Sequence, residues 1–316
     1  MHSIRLAMQA MATRFELLLV GEDPVHARAA GEEAMREIRR IEGMCNFYDP
    51  SSELSRINLE ASQGPFRVSG MMQRLLVGCA RWAAETRGRF DPTVAPALDL
   101  WGLRHRGEPG RIPTESERLE LQQHLGLDRV EFDRATGTVR LPSASMKLDF
   151  GGVAKGWALD EARLILEEAG VEHALLHGGT STAIGIGQDE SGNPWRVALE
   201  DPYLNEQPTT EWFADLTLVN AAFSVSGVHG KSFPDPDDPG SPIGHVINPL
   251  TGLAVSGRRV TLVRDACAAR ADAWSTALLA DPSIPLPDDL RGTTFLKTDS
   301  GWTIESGEPV ALNSHS

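Results

Sequence analysis

The chain has 316 residues, of which 41% are hydrophobic, so it is long enough to bury a large core in one domain or two coupled domains. Lys and Arg number 30 against 44 Asp and Glu, which gives a formal net charge of -14. This acidic balance argues against nucleic acid or an anionic membrane surface as the partner. It is compatible with an anionic small ligand, provided that a local cation or a bound metal ion offsets the background charge.

The cysteines and the N-terminal segment further limit the possible classes of protein. Cys45, Cys79 and Cys267 form no CxxC pair and are odd in number, which argues against a disulfide framework or a structural zinc site. The first twenty residues lack a long apolar stretch behind a basic start, and the run FELLLV is too short to cross a bilayer. We therefore expect a cytoplasmic protein with reduced thiols and no membrane segment.

Apolar periodicity predicts the elements of the first half of the chain. A strand is predicted at Thr13–Gly21 and a long amphipathic helix at Pro24–Cys45. A second amphipathic helix is predicted over residues 71–86, and the proline-rich segment FDPTVAPALDLWG is expected to be irregular with a buried Trp101. The runs on either side of ATG in RVEFDRATGTVRL predict a hairpin.

The second half of the chain is richer in strand patterns. A short strand is predicted to precede the two glycines of LDFGGVAKG, and a helix follows over residues 154–169. Four strand-like segments come next (HALLHGGTSTAIGIG, WRVALED, DLTLVNAAFSVSG and RRVTLVRD), before a last helix over residues 267–279. Blocks of strands around separate helices predict an α+β fold with mixed, mainly antiparallel sheets.

The segment LDFGGVAKGWALD combines an acidic residue, a glycine turn and a lysine at a helix start. It matches neither the Walker A pattern nor GxGxxG. Physically it suits an anion, because the glycines permit close approach, the helix N-terminus offers free N–H groups, and Lys155 adds a point charge. The alternative interpretation is a tight strand-to-helix turn, with Asp149 ending the strand and the lysine in solvent.

Two further segments carry candidate chemistry. In ADAWSTALL, Asp272 and Thr276 are four residues apart and share one helix face, where a carboxylate and a hydroxyl would suit Mg2+. The alternative is an exposed carboxylate and a hydroxyl bonded back to the preceding turn. In GHVINPLTG, His245 is either a general base or a structural histidine near a turn. From these residues alone we infer an α+β protein that binds a phosphorylated ligand together with a divalent metal ion.

These segments occur in the order and spacing of a known family. From residue 11 to residue 279 the chain resembles the FAD:protein FMN transferase family, also called the ApbE family. The segments that carry the resemblance are MATRF, FYDPSSELSRIN, FDPTVAPALDLWG, LDFGGVAKGWALD, HGGTSTAIG, HVINPLTG and ADAWSTALL. It implies one ApbE-like, T-fold-like domain over residues 1–316, or two interleaved subdomains. It also implies an enzyme that splits FAD, attaches FMN through its phosphate to a Ser or Thr of an acceptor flavoprotein, releases AMP and requires Mg2+.

The resemblance also implies roles for individual residues. His245 matches the histidine proposed as the base, and the metal ligands are the carbonyl of Gly152 with the side chains of Asp272 and Thr276. The positions matched to FAD contacts are Met11, Tyr48, Arg89, Phe90, Asp91, Asp149, Lys155 and Val246.

The chain departs from the family pattern at three places. Thr180 follows Gly178 and Gly179 where an acidic or amide residue is usual, and Asn248 replaces an Asp. The stretch SGVHGKSF replaces a more aromatic one. These differences bear on the acceptor and on the rate, and leave the metal pair intact. Two rival activities use the same residues: an FAD pyrophosphatase that releases free FMN and AMP, and a carrier that holds FAD without turnover.

Overall fold

The fold is taken from a computed structural model that describes residues 2–104, 110–203 and 212–312. Its strands and helices are, in chain order, β1 (His2–Ala10), β2 (Thr13–Gly21), α1 (Pro24–Cys45), α2 (Glu53–Glu60), β3 (Phe66–Arg67), α3 (Gly70–Glu85), α4 (Ala95–Leu100), α5 (Glu115–Gln122), β4 (Glu131–Asp133), β5 (Thr138–Arg140), α6 (Ala154–Glu168), β6 (His173–Gly178), β7 (Thr182–Ile186), β8 (Trp195–Glu200), β9 (Trp212–Leu218), β10 (Ala221–Gly227), β11 (Ser232–Pro234), β12 (Pro242–Asn248), β13 (Leu253–Ser256), β14 (Arg259–Asp265), α7 (Ala268–Ala280), β15 (Arg291–Thr298) and β16 (Gly301–Gly307).

A large antiparallel sheet organises the described residues. Its strand order is β1-β2-β6-β7-β10-β14-β15-β16, and every neighbouring pair is antiparallel. Alternation along β2 explains why both faces can be covered: Phe15, Leu17 and Leu19 are buried against the helices, while Val20 is buried on the opposite face. The α+β fold predicted from the sequence is therefore confirmed.

Helices α1, α6 and α7 cover one face of this sheet. Buried side chains on α1, including Ala34, Ile38 and Ile41, join the same apolar cluster as Leu159 of α6 and Ala273 of α7. Hydrophobic burial of this extent is the dominant stabilising term for such a layer. The helix layer therefore fixes α6 and α7 side by side on the central strands.

The hairpin β8–β9 covers the other face. Phe213 of β9 stacks on Trp302 of β16 with 4.3 Å between ring centroids, and it meets Phe295 of β15 edge to face at 5.2 Å. A smaller three-stranded sheet, β11-β12-β13, stands beside α7 and α4. It closes the end of the helix layer at which α6 begins.

Several sequence predictions need correction in detail. Residues 148–150 form no strand: the chain there is extended, a single bridge joins Lys147 to Val94, and the Asp149 N–H donates to the Pro92 carbonyl at 2.7 Å. The proline-rich segment is not wholly irregular, because it contains α4, but Trp101 is buried as predicted. Strand β1 was not predicted at all, although its burial alternates.

Cys45, Cys79 and Cys267 are free cysteines. No helix in the described part of the chain is both long and apolar enough to cross a membrane.

Candidate active site

A cavity of about 670 Å³ opens where α6, α7, the ends of β10 and β12, and the loop before α4 meet. This volume lies within the range of roughly 300–1,000 Å³ that small-molecule and cofactor sites usually have. All twelve site residues assigned from the sequence lie in its wall: Met11, Tyr48, Arg89, Phe90, Asp91, Asp149, Gly152, Lys155, His245, Val246, Asp272 and Thr276. Segments far apart in the chain are thus brought together around one space.

The turn before α6 presents the cationic side of the cavity. Asp149 accepts a hydrogen bond from the Gly151 N–H at 2.7 Å, which holds the glycine turn in shape. Lys155 is the second residue of α6 and is half-buried in the cavity wall. The described residues give it no ion-pair partner, so its charge is available to an anionic ligand.

Helices α6 and α7 touch at Gly156. A Cβ atom at this position would overlap the carbonyl of Ala268 and lie 2.7 Å from the Cα of Ala269. The same glycine donates its backbone N–H to Oδ2 of Asp272 at 3.2 Å. Because only a glycine permits this approach, Gly156 fixes the distance between Lys155 on one helix and Asp272 on the other.

Asp272 and Thr276 form the oxygen-rich side of the cavity. The Asp272 side chain is buried, with 3% of the residue exposed, and its Oδ1 accepts a hydrogen bond from the Ser224 hydroxyl at 2.8 Å. No ion pair between described residues includes this carboxylate. A buried carboxylate without a cation is costly, and a cation bound in the cavity would offset that cost.

This donor set fits Mg2+. Gly152 lies against Thr276, since a Cβ added to the glycine would be 3.1 Å from Oγ1 of the threonine. No group of three or more His, Cys, Asp or Glu side chains that could hold a metal ion occurs among the described residues. One carboxylate supplemented by a hydroxyl, a carbonyl, water and ligand phosphate is the usual environment of Mg2+, which prefers hard oxygen ligands.

A buried arginine that sequence reasoning missed supports Asp149. Arg104 has 3% of its surface exposed, and its Nη1 donates to Oδ2 of Asp149 at 2.9 Å. Its Nε pairs with Asp99, and its guanidinium lies over the Phe47 ring, 3.9 Å from the centroid. Such a charge-assisted network holds the Asp149 carboxylate in one orientation at the cavity wall. A lone arginine after LWGL gives no sequence signal for this role.

Tyr48 and Lys231 link two sides of the cavity. The Lys231 ammonium donates to the Tyr48 hydroxyl at 3.1 Å and to the Arg104 carbonyl at 2.9 Å. The Tyr48 hydroxyl itself donates to that carbonyl at 3.0 Å. Lys231 belongs to the stretch SGVHGKSF, one of the three places where the chain departs from the family pattern.

Two histidines face the same space. His245 opens onto the cavity, and its Nδ1 lies 3.3 Å from the Lys231 carbonyl. Because a carbonyl only accepts, Nδ1 carries the hydrogen, and Nε2 keeps the lone pair. Protein atoms surround the ring on the sides away from the cavity, and this burial, followed by repulsion from His229 and Lys155, lowers the pKa of His245 to about 4. Burial also lowers the pKa of His229, whose Nδ1 has no hydrogen-bond partner among the described residues.

The remaining predicted contacts lie in the wall with their polar groups engaged elsewhere. Arg89 pairs with Asp281 at 2.9 Å. The Asp91 carboxylate accepts hydrogen bonds from Thr93 and from the Leu127 N–H, and burial raises its pKa. The Asp91 carboxylate thus holds its own loop in shape, and Arg89 ties that loop to the residue that follows α7.

Met11 and Phe90 also line the cavity. Met11 sits in the turn between β1 and β2 with a positive φ of 50°, and its N–H donates to Glu42 at 2.6 Å. Phe90 is buried, and its ring lies 3.6 Å from the position of a Cβ on Gly152. Both offer apolar surface to the cavity, and Phe90 does so beside the glycine turn.

Two of the positions that depart from the family pattern, Asn248 and Thr180, lie outside the cavity wall. Asn248 holds the β12–β13 turn, since its Oδ1 accepts from the Leu250 N–H at 3.0 Å and its amide donates to the Ala280 carbonyl at the end of α7 at 3.2 Å. An ionised aspartate could not make the second bond. Thr180 is exposed outside the cavity wall.

The chain is similar to proteins of one known family over most of its length. The model of the ApbE family matches residues 11–283, which is most of the chain. The chain therefore belongs to the ApbE family. It is 26% identical over 307 residues to the FAD:protein FMN transferase of Vibrio cholerae, covering 95% of this chain and 89% of the relative. It is also 26% identical over 317 residues to the FAD:protein FMN transferase of Haemophilus influenzae, covering 96% and 89%.

Solved structures agree on the fold. The crystal structure of the ApbE protein of Thermotoga maritima superposes with a TM-score of 0.79 at 24% sequence identity, covering 99% of this chain and 97% of that one. The ApbE-like architecture expected from the sequence is thereby confirmed.

Proposed function

We propose that this protein is a Mg2+-dependent FAD:protein FMN transferase. Its substrates are FAD and a flavoprotein with an acceptor Ser or Thr, and its products are the FMN-modified protein and AMP. The observation that carries the proposal is the meeting of Lys155, Asp272, Thr276 and His245 around one cavity in a chain of the ApbE family. The activity named for its relatives gives further support.

The α6–α7 side of the cavity would hold the pyrophosphate. Lys155 and the N-terminus of α6 supply positive potential to phosphate oxygens. The Gly152 carbonyl, the Asp272 carboxylate and the Thr276 hydroxyl would hold Mg2+. When bound, Mg2+ neutralises charge on the phosphate oxygens and on the leaving group. Together these groups stabilise the charge that builds up as the pyrophosphate bond breaks.

His245 would serve the attacking hydroxyl. Its low pKa keeps the imidazole neutral at pH 7, and the hydrogen on Nδ1 leaves Nε2 as the proton acceptor. The acceptor oxygen bonds to the phosphorus of the FMN half, the bond from that phosphorus to the AMP oxygen breaks, and the hydroxyl proton passes to Nε2. A net phosphoester bond forms, and AMP leaves.

The test is to mix the protein with FAD, Mg2+ and a candidate acceptor and to follow AMP and acceptor mass together. The proposal expects one AMP for each FMN added to the acceptor, both dependent on Mg2+. AMP with free FMN and no modified acceptor would instead identify a pyrophosphatase. Tight FAD binding without AMP in any combination would identify a carrier. Either result would overturn the transferase proposal for the acceptor tested.

A further inference from the structure

We propose that Ser226 is a positioning residue for the cation site, because it accepts the hydroxyl hydrogen of Thr276 and so leaves a threonine lone pair for Mg2+. The inference rests on the Mg2+ site of the proposed function and deepens it. Ser226 lies on β10 and lines the cavity, and its Oγ is 3.4 Å from Oγ1 of Thr276 and 2.8 Å from Oγ of Ser275.

The strand places two serines on the helix side of the sheet. Alternate residues of β10 face α7, so Ser224 and Ser226 both point toward it, while Phe223 packs on the opposite face. Ser224 is fully buried and meets Asp272, whereas Ser226 sits at the cavity end and meets Thr276. A polar pair at alternating positions thus matches the two proposed side-chain ligands one to one.

Hydrogen counting gives this network one direction. A carboxylate only accepts, so the Ser224 hydrogen goes to Asp272. Ser275 donates its hydrogen to the Asp272 carbonyl at 3.0 Å, one turn back along α7, or to the Ser224 hydroxyl at 3.4 Å, and in both cases away from Ser226. Ser226 can then donate to Ser275, and its own oxygen is free to accept from Thr276.

The consequence falls on the Thr276 hydroxyl. Ser226 is its one hydrogen-bond partner in the described ranges of the chain. With the hydrogen directed toward β10, the oxygen lone pairs face away from the strand, on the side where Gly152 approaches. A hydroxyl ligates a cation only through its lone pairs, so an oriented hydroxyl loses less entropy on binding than a freely rotating one.

The test measures cation binding without flavin transfer. Mn2+ would be titrated by electron paramagnetic resonance in the presence of saturating ADP, which carries adenosine and a diphosphate but no flavin. Ser226→Ala should bind Mn2+ about 10- to 100-fold more weakly, the usual effect of removing a partner of a metal ligand. Ser226→Thr keeps the oxygen and should restore the affinity. Ser226→Cys keeps the volume but accepts weakly, so it should fall between them.

A control serine lies outside the cavity wall. Ser306 is exposed on β16 and makes no side-chain hydrogen bond among the described residues, so Ser306→Ala should leave Mn2+ affinity unchanged. Equal Mn2+ affinity in Ser226→Ala and the wild type would overturn the inference, as would failure of Ser226→Thr to restore binding. Wild-type protein that binds no Mn2+ would overturn the Mg2+ site with it. If the Mn2+ affinities of the wild type and all variants are as expected but no AMP is released from FAD, the role of Ser226 would be supported and the proposed reaction refuted.

Discussion

The two walls of the cavity are built in different ways. The helical wall, formed by Gly152, Lys155, Asp272 and Thr276, belongs to α6, α7 and the turn before α6, and Asp272 is only 3% exposed. The strand wall, formed by Tyr48, Lys231, His245 and Val246, belongs to a loop and a small three-stranded sheet. Tyr48 there is 57% exposed, and its hydroxyl bonds to the Arg104 carbonyl and to Lys231.

The contrast separates two demands of the proposed reaction. Neutralising the charge of a pyrophosphate requires cationic and metal-binding groups that are in position before the ligand arrives. Burial in a close-packed layer holds such groups in position. An acceptor protein must also reach the phosphorus, which requires a side that is less deeply buried. The helical wall suits the first demand and the strand wall suits the second.

Removing the carboxylate of the helical wall should have the largest effect. Asp272→Ala is expected to reduce Mg2+-dependent AMP release to background, because the one buried carboxylate of the proposed site is lost. AMP would be measured by chromatography at rising Mg2+. Asp272→Asn is the control that keeps the shape without the charge: its single oxygen can accept from the Gly156 N–H while its NH2 group faces the Ser224 hydroxyl, which can accept. Thermal unfolding would check that both variants fold. If Asp272→Ala turns over at the wild-type rate at saturating Mg2+, Asp272 is not a metal ligand.

On the strand wall, His245→Ala should slow transfer without loss of binding. Removal of a positioned base usually costs about 100- to 10,000-fold in rate. FAD affinity by calorimetry and single-turnover transfer would be measured on the same variant. Reduced affinity combined with normal transfer at saturating FAD would assign His245 to ligand binding instead.

The pH dependence of the transfer rate of the wild type also tests the assignment of His245 as the base. The pKa of His245 is lowered to about 4, so the base becomes protonated, and transfer slows, only well below the ordinary histidine value near 6.5. A lowered histidine pKa also means that the unfolded chain binds more protons between these values. Stability should therefore fall as the pH decreases from about 6.5 toward 4. A rate profile that rises with a midpoint at or above 6.5 would contradict the neutral-base assignment.

A substitution at Gly156 tests how tightly α6 and α7 pack against each other in the helical wall. Gly156→Ala should destabilise the fold by about 3 kcal/mol, the upper end of the usual range for overpacking, because a backbone carbonyl stands where the methyl group would lie. Gly43 in the exposed part of α1 is the control, since a Cβ there meets nothing within 4 Å. Gly43→Ala should stabilise the fold by up to about 1 kcal/mol. Similar melting temperatures for the two variants would show that the helices separate easily.

The smallest effect is expected from Lys155. Lys155→Ala should weaken FAD binding by about 1–3 kcal/mol, the range for a charge-assisted contact. The control is Arg134→Ala, which removes one positive charge from the exposed β4–β5 turn. Calorimetry on both variants separates a local contact from the general field of an acidic protein. Equal losses in the two variants would place Lys155 among ordinary surface charges.

Periodicity predicted the long elements well because their burial is regular. Helix α1 runs from Pro24 to Cys45 as predicted, and the predicted helix over residues 154–169 differs from α6 by one residue. The prediction failed at residues 148–150, where an extended segment makes one bridge instead of a ladder. Alternation alone cannot report whether a partner strand is present. The short α4 was missed because prolines masked it.

The site was predicted where its residues fall in compact motifs. Local spacing singled out Lys155, Asp272 and Thr276, and the resemblance added Met11 and Tyr48; all five line the cavity, and their roles stay predictions. Arg104 and Ser226 could not be found, since each acts through a contact between distant parts of the chain. For Ser226 a weak signal existed in the alternation of serines along β10, but only the position of α7 gives it meaning.

The contact at Gly156 also bears on how a ligand enters. Because α6 and α7 are in backbone contact at Gly156, we expect them to move as one body. Opening of the cavity would then require movement of the strand wall. Amide hydrogens in β12 should then exchange with solvent faster than the Gly156 N–H, which is held by a buried carboxylate. The rate of FAD entry would follow the opening of that small sheet, and the helix pair would act as the fixed surface against which the ligand settles.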